Sequence, residues 1–379
     1  MGLSKIIIGA DFVPTRSNVD LFIEGNIDAL FGSKLLEHLS NASIRIFNLE
    51  VPFTDNEAPI RKWGPNLIAP TTAIKAYKMI NTNILTLANN HILDQGEQGL
   101  NSTCKILSQN GIAYLGAGIT LEEASKPYII DCDGKKIGLY ACAEHEFSIA
   151  SNNSAGANPF DPLESLDHIL KLKKQCDFLI VFFHGGKEHY RYPSPNLQKI
   201  CRKIVEKGAN LVICQHSHCV GCEEKFLTGR IVYGQGNFLF DDSESDYWKT
   251  SILIQIQNDF SITYLPLVKC GNKVRLAEEK LAQNILDKFY QRSEEIKNKG
   301  FIEKNYNIFA NSTVTTYLTY FLGKRSFLFY IINKLLCNYL TKWSIQRKYN
   351  SKILLAIQNC IECEAHRELL LQGVKQYGK

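Results

Sequence analysis

Phe178-Leu179-Ile180-Val181-Phe182-Phe183-His184-Gly185-Gly186-Lys187-Glu188 carries six apolar residues in a row, then breaks into an imidazole, two glycines and two charges. An unbroken apolar run of that length predicts a strand buried on both faces, with the polar residues falling at its carboxyl end. The pattern recurs at residues 6–9, 44–47, 84–87 and 211–214, each rich in Ile, Val, Leu or Phe. Helix-like stretches at 71–81, 98–109, 162–174 and 195–207 lie among them. Strands alternating with helices predict an α/β protein with parallel strands in at least part of its sheet. Residues 128–131 and 136–142, joined through Asp133-Gly134, predict an antiparallel hairpin. Residues 251–257 and 261–265 predict a second hairpin, and helical periodicity takes over beyond Leu276. The expected division is a main domain, 1–275, and a helical extension, 276–379.

Composition narrows the class. Of 379 residues, 45% are hydrophobic and 21% charged, which excludes a disordered or fibrous chain. A net charge of +5, with no basic stripe interleaved by aromatics, gives no reason to expect nucleic acid as a partner. The start Met1-Gly2-Leu3-Ser4-Lys5 lacks the ordered parts of a secretory signal, and no stretch of 18 predominantly apolar residues occurs. Several of the twelve cysteines, Cys142 and Cys214 among them, fall inside expected strands, so a reduced, cytoplasmic protein is expected. Residues 315–340 are rich in Tyr, Phe, Leu and Ile but interrupted by Lys324, Arg325 and Lys334. Such helices either dock on the main domain or a second copy, giving a homo-oligomer, or lie on the inner membrane face as a peripheral contact.

The chemistry collects behind the strands. Asp11 follows the first, Asn48 and Glu50 the second, and Asn89, Asn90 and His91 the third, with Asp94 three residues on. His184 and Glu188 follow the 178–183 run, and His216 and His218 follow 211–214. Open α/β sheets bind ligands outside the carboxyl ends of their strands, so five strands deliver acidic, amide and imidazole groups to one edge. Carboxylate and imidazole together suit one or two divalent ions of zinc, manganese or iron. Asp94 either touches metal or caps the helix that follows; Glu188 either orients an imidazole or pairs with the neighbours of Lys187. Arg16 and Lys187 either bind an anionic group or are solvated surface charges. His216-Ser217-His218-Cys219-Val220-Gly221-Cys222 also reads as a zinc knuckle, but its ligand pairs are adjacent where structural zinc draws on well-separated ones.

The ordered set Gly9-Ala10-Asp11, Asn48-Leu49-Glu50-Val51-Pro52-Phe53-Thr54, Ala88-Asn89-Asn90-His91-Ile92-Leu93-Asp94-Gln95-Gly96, His184-Gly185-Gly186-Lys187-Glu188, Gln215-His216-Ser217-His218 and Tyr233-Gly234-Gln235-Gly236-Asn237-Phe238 resembles the capsule-synthesis CapA (poly-γ-glutamate capsule) family, within the calcineurin-like metallophosphoesterases. It covers roughly residues 5–240. The resemblance implies a double-sheet α/β sandwich of the metallo-dependent phosphatase type. It implies that Glu50 bridges two metals, that Asn90, His184 and His216 complete one, and that Asp11 and His218 serve the other. His91 then stands beside the scissile bond, and the catalytic candidates are His91, Asp94 and Glu188, with Arg16 and Lys187 for substrate. The activity implied is hydrolysis by metal-activated water of a phosphoester or anionic polymer in capsule or exopolymer synthesis. The alternative is a non-catalytic assembly component that binds a polyanion or docks on the membrane. Three positions depart from the pattern: Val13 stands where a metal-binding His is usual, Gly185 where a Trp is, and Asn210 where an Asp is. The first removes a ligand from one metal site, and the second opens the substrate pocket.

Overall fold

Among the described residues, fifteen strands order the first part of the chain: β1 (Ile6–Asp11), β2 (Ile44–Asn48), β3 (Ile84–Thr86), β4 (Ala113–Leu115), β5 (Ala117–Gly118), β6 (Tyr128–Cys132), β7 (Lys135–Ala143) and β8 (Gly156–Ala157) come first. They are followed by β9 (Phe178–His184), β10 (Leu211–Gln215), β11 (Glu223–Phe226), β12 (Gly229–Tyr233), β13 (Thr250–Ile256), β14 (Ile262–Cys270) and β15 (Lys273–Leu276). They are seen in a computed structural model that describes residues 6–241, 243–322, 331, 333–336 and 339–377. One sheet runs β15-β14-β13-β1-β2-β3-β4 and the other β11-β12-β10-β9-β7-β6, with β5 and β8 pairing apart. Strands β1 to β4 are mutually parallel, as are β7, β9, β10 and β12, so each sheet sends a set of strand ends the same way. This is the α/β double-sheet sandwich that the family resemblance implies.

The 178–183 run explains the layering. Phe178, Ile180 and Phe182 join Ile8, Leu139 and Ile213 in a core shared by the two sheets. Leu179, Val181 and Phe183 belong to a second core with Leu197, Cys201 and Ile204 of helix Pro195–Glu206 and with Ile169 and Leu172 of helix Ser165–Lys173. A strand covered on both faces has no use for polar alternation. By the same two-residue period, His184 sits on the inner-core face of its strand.

Both expected hairpins form. Asp133 and Gly134, at φ +55° and +76°, supply the two left-handed residues of a tight turn between β6 and β7. The second hairpin is β13–β14, a longer pairing than its apolar pattern suggests. The helix expected at 71–81 opens as a 3-10 turn, Thr71–Ala73, and ends at Met79, because Asn81 takes a left-handed conformation at φ +52°. The β11–β12 pair is not signalled by sequence, since β11 reads Glu-Glu-Lys-Phe and has no apolar run.

Two compact units result, Met1–Ile302 and Glu303–Lys379. Helix Glu279–Glu295 belongs to the first, where Phe289 packs on Tyr264 with ring centroids 4.9 Å apart and Ser293 Oγ accepts from the Glu223 amide. The helical extension expected from 276 therefore contributes its first helix to the sandwich. The second unit holds most of helix Phe301–Tyr320 and all of Tyr339–Lys348, Ser351–Glu362 and Glu364–Tyr377. Of the basic residues expected to interrupt 315–340, Lys324 and Arg325 lie outside the described residues, and Lys334 is exposed.

Phe12, one residue past the end of β1, anchors the core beside the strand ends. Its ring lies 4.1 to 5.7 Å from those of Tyr77, Phe22, Phe238, Phe47 and Phe31, and its carbonyl accepts from Tyr77 Oη at 2.5 Å. Truncating a fully enclosed Phe removes its burial and leaves a cavity, so Phe12→Ala should lower stability by about 3–5 kcal/mol. A urea titration checks this, and a midpoint unchanged from wild type contradicts it.

Candidate metal centre

The register between strands determines which groups meet. Asp11 pairs with Asn48 across β1 and β2, and His184 pairs with Gln215 across β9 and β10. Glu50 follows β2 by two residues, and His216 and His218 follow β10. Both of these histidines adopt left-handed backbone, φ +87° and +52°, which an L residue with a full side chain resists. Such strain persists where surrounding structure holds it, and it is concentrated at functional sites.

Two triads of donor atoms form, Glu50–His184–His216 and Asp11–Glu50–His218, each with all its ligand atoms within 4.8 Å of one another and all residues buried. Glu50 belongs to both. His184 Nε2 lies 3.3 Å from Glu50 Oε1, 3.0 Å from Asn90 Oδ1 and 3.2 Å from His216 Nδ1. His218 Nδ1 lies 3.4 Å from Asp11 Oδ2 and 2.8 Å from Asn237 Oδ1. A string of amides stiffens the Asp11 side: Asn48 Nδ2 donates to Asp11 Oδ1 at 2.7 Å, and Asn89 Nδ2 donates to Asn48 Oδ1 at 3.2 Å.

Neither carboxylate oxygen of Glu50 is met by a well-formed hydrogen bond, although both are buried, and His184 Nε2 stands 3.3 Å from Oε1 as an ion-pair contact. A buried carboxylate without well-formed hydrogen bonds costs several kcal/mol unless a cation compensates it. The donor set, two carboxylates, three imidazoles and a nearby amide oxygen, is that of a borderline divalent ion. The residues present therefore fit the divalent cation that the sequence pattern implies. No cysteine enters either triad, so among the described residues the zinc-knuckle reading of 216–222 finds no support; Cys219 and Cys222 are buried free thiols.

The electrostatics agree. Burial pushes the Glu50 carboxyl up, but the charges of His184, His218 and His91 hold it well below the usual carboxylate range. Burial lowers His184, and Glu50 and Asp11 more than reverse that and raise it. Burial also lowers His218, yet the Asp11 hydrogen bond and the charges of Glu50 and Asp11 drive it up to about 9. Burial and the charge on His184 push His216 well below the ordinary imidazole value.

His91 stands beside this centre in a different role. Its Nδ1 lies 2.5 Å from Asp94 Oδ2, its amide donates to Asn89 Oδ1 at 3.1 Å, and Lys62 Nζ lies 3.2 Å from the same ring nitrogen. Asp94 also pairs with Lys62 Nζ and accepts from the Leu67 amide at 2.6 Å. Neither open reading of Asp94 survives: it is outside both metal triads, and the helix starting at Gly96 is preceded by Gln95 with no side-chain cap. It holds an imidazole instead. A carboxylate at Nδ1 fixes the tautomer and leaves Nε2 for chemistry.

The remaining candidates lie farther out. Glu188 is half-exposed, its Oε1 4.0 Å from His216 Nε2, and Glu146, which sequence reasoning did not single out, reaches the same nitrogen at 3.8 Å. Lys187 is exposed, and Arg16 sits on the exposed turn after β1. Lys62 was also missed. It lies in a stretch without strand or helix periodicity, and only its burial beneath His91 distinguishes it from any surface lysine.

The departures have local causes. Val13 is enclosed in the core, its amide donating to the Leu239 carbonyl, and it offers no ligand atom. A Cβ at Gly185 would fall 2.6 Å from the Glu144 side chain and the Phe183 ring, so that space is already taken and is not an opened pocket. Asn210 Oδ1 accepts from the Leu179 amide at 2.9 Å and from Lys173 Nζ at 3.0 Å, a structural role on the edge opposite the metal triads.

Residues 10–242 match the family described as bacterial capsule synthesis protein PGA_cap, well over half of the chain. The chain belongs to that family. Among the relatives of this chain, the capsule biosynthesis protein CapA of Bacillus anthracis is 28% identical over 227 residues, covering 58% of this chain and 55% of the relative. The PGA biosynthesis protein CapA of Bacillus subtilis is 28% identical over 176 residues, 45% of each chain. The chain thus spans about half the length of the curated relatives it matches. A solved phosphatase structure from Mycoplasma pneumoniae, 12% identical, overlaps 72% of this chain and 96% of its own at a TM-score of 0.44.

Proposed function

We propose that this capsule-family chain is a metal-dependent hydrolase that acts in capsule or exopolymer synthesis on a phosphoester or an anionic polymer. The observation that carries the reading is Glu50, a buried carboxylate without a well-formed hydrogen bond that is shared by two ligand triads. Glu50, His184, His216 and the Asn90 amide would hold one divalent ion, and Asp11, Glu50 and His218 a second. An ion held there polarises a phosphoryl or carbonyl oxygen and acidifies a water. His91, held through Nδ1 by Asp94, presents Nε2 to protonate a leaving oxygen or nitrogen. Glu188 and Glu146 flank His216 and steady it, and exposed Lys187 and Arg16 attract the negative charge of the substrate. Val13 favours the second reading, a binding component without turnover, because the Asp11 side has one ligand fewer than its sequence pattern calls for. Elemental analysis together with turnover of a phosphodiester and of γ-glutamyl oligomers separates the two. Bound metal with metal-dependent turnover supports the hydrolase, whereas bound metal without turnover of either substrate favours the binding component.

A pH signature follows from His218. Its pKa is raised to about 9, above the ordinary value near 6.5. A raised imidazole stabilises the fold fully below its unfolded pKa, and that contribution is lost as pH climbs through the folded value. Chelator-treated protein should therefore lose thermal stability between pH 6.5 and about 9. Metal-loaded protein should not, and metal uptake near pH 7 should release protons. Parallel melting curves with and without chelator test this; identical pH profiles would contradict it.

A further inference from the structure

The two units differ in charge. Residues 303–379 carry eleven Lys and Arg against four Asp and Glu, whereas residues 1–302 carry 32 against 34, so the whole basic excess belongs to the C-terminal unit. Between Glu303 and Glu362 the chain has eight basic residues and no acidic one. Ordinary solvated helices mix both signs, so this is a one-sign field.

The same unit leaves large apolar side chains outside. On helix Tyr339–Lys348, Ser344 and Ile345 are buried, while Tyr339 is 64% and Trp343 48% exposed. Tyr339, Trp343 and Arg347 are spaced four apart and form one stripe, with the Arg347 guanidinium 5.3 Å from the Trp343 ring centre. Lys342 and Lys348 are exposed on the same helix, and Lys352 on the next. Helices Ser351–Glu362 and Glu364–Tyr377 have no buried residue at all, leaving Leu355 and Leu369 64% and 74% exposed. Among the described residues, no helix is long and apolar enough to cross a membrane.

We propose that the unit Glu303–Lys379 docks this chain on an anionic lipid surface, lying in the interface rather than crossing it. Tyr339 and Trp343 sit at headgroup level, where amphipathic rings are favoured, and Lys342, Arg347 and Lys352 meet lipid phosphates. An anionic polymer would satisfy the charges but offers no apolar phase for Trp343 and Leu355. Self-pairing of this face would oppose two fields of the same sign.

Sedimentation of the full chain with phosphatidylglycerol and with phosphatidylcholine vesicles tests the proposal. Binding is expected to phosphatidylglycerol alone and to weaken in high salt. Each basic residue at an anionic surface contributes about fivefold, so Lys342→Gln/Arg347→Gln/Lys352→Gln should weaken partitioning on the order of 100-fold. All three side chains are exposed, and unchanged far-UV circular dichroism verifies that the variant is folded. Trp343→Phe should remove the fluorescence blue shift that accompanies vesicle binding. Failure to sediment with phosphatidylglycerol overturns the proposal, as does equal binding to phosphatidylcholine. So does a triple variant that loses poly-γ-glutamate binding while vesicle binding stays at the wild-type level, or a vesicle-free dimer that the same three substitutions dissociate.

Discussion

On the proposed reading, Glu50→Gln should leave the chain folded and abolish tight binding of divalent metal. Glutamine keeps the shape and volume of the side chain, so the enclosed site suffers neither a cavity nor a clash. What it loses is the charge that both triads share, Glu50–His184–His216 and Asp11–Glu50–His218. Removing a group that merely supports a metal ligand weakens affinity roughly 10- to 100-fold; removing a shared ligand charge should exceed roughly 100-fold. Substitutions confined to one triad behave differently. His216→Ala should weaken only the first triad and Asp11→Asn only the second, so neither alone lowers occupancy by more than one ion. Elemental analysis after dialysis, with calorimetric titration of manganese and zinc, reads all three variants. Wild-type metal content in Glu50→Gln would remove the central support for the hydrolase reading.

Sequence legibility followed burial. Strands covered on both faces, such as β9 and β10, announce themselves as apolar runs, and the residue after the run is already at the strand end. The sequence alone therefore places Asp11, His184 and His216 at one edge. That Glu50 falls within reach of His184 and of the Asp11–His218 pair depends on how two sheets stack, which no local pattern encodes. Polar edge strands were invisible: Glu223–Phe226 is a strand because Tyr264 and Ser293 hold Glu223 from elsewhere in the fold. Lys62 was invisible for a related reason. A lysine in an aperiodic segment reads as solvated, and here tertiary structure buries it against an aspartate 32 residues away. Asp94 misled through proximity, since a carboxylate just before a helix suggests a cap, but its three donors are His91, Lys62 and the Leu67 amide.

That buried cluster supports the second large effect. His91→Ala should leave metal content at the wild-type level and lower turnover of the accepted substrate by about 10²- to 10⁴-fold, the range of a lost general acid. Asp94 acts through His91, holding Nδ1, so Asp94→Asn should lower turnover less, and the double variant should be no slower than His91→Ala alone. Additive losses would mean that Asp94 has a separate task. Lys62 adds a structural dimension. Its side chain is 4% and that of Asp94 0% exposed, so Lys62→Met leaves a buried carboxylate without its cation. Breaking such a pair from one side destabilises by about 3–5 kcal/mol, and Lys62→Arg, which keeps the charge, should restore most of it. If Lys62 only supports the fold, Lys62→Arg recovers stability and turnover together. If it also sets where the His91 ring sits, Lys62→Arg recovers stability while kcat stays low and KM stays unchanged, because a guanidinium cannot place its charge where Nζ does, 3.2 Å from His91 Nδ1. The geometry favours the latter outcome, since Lys62 touches Asp94 and the imidazole at once, and any shift in one moves the other.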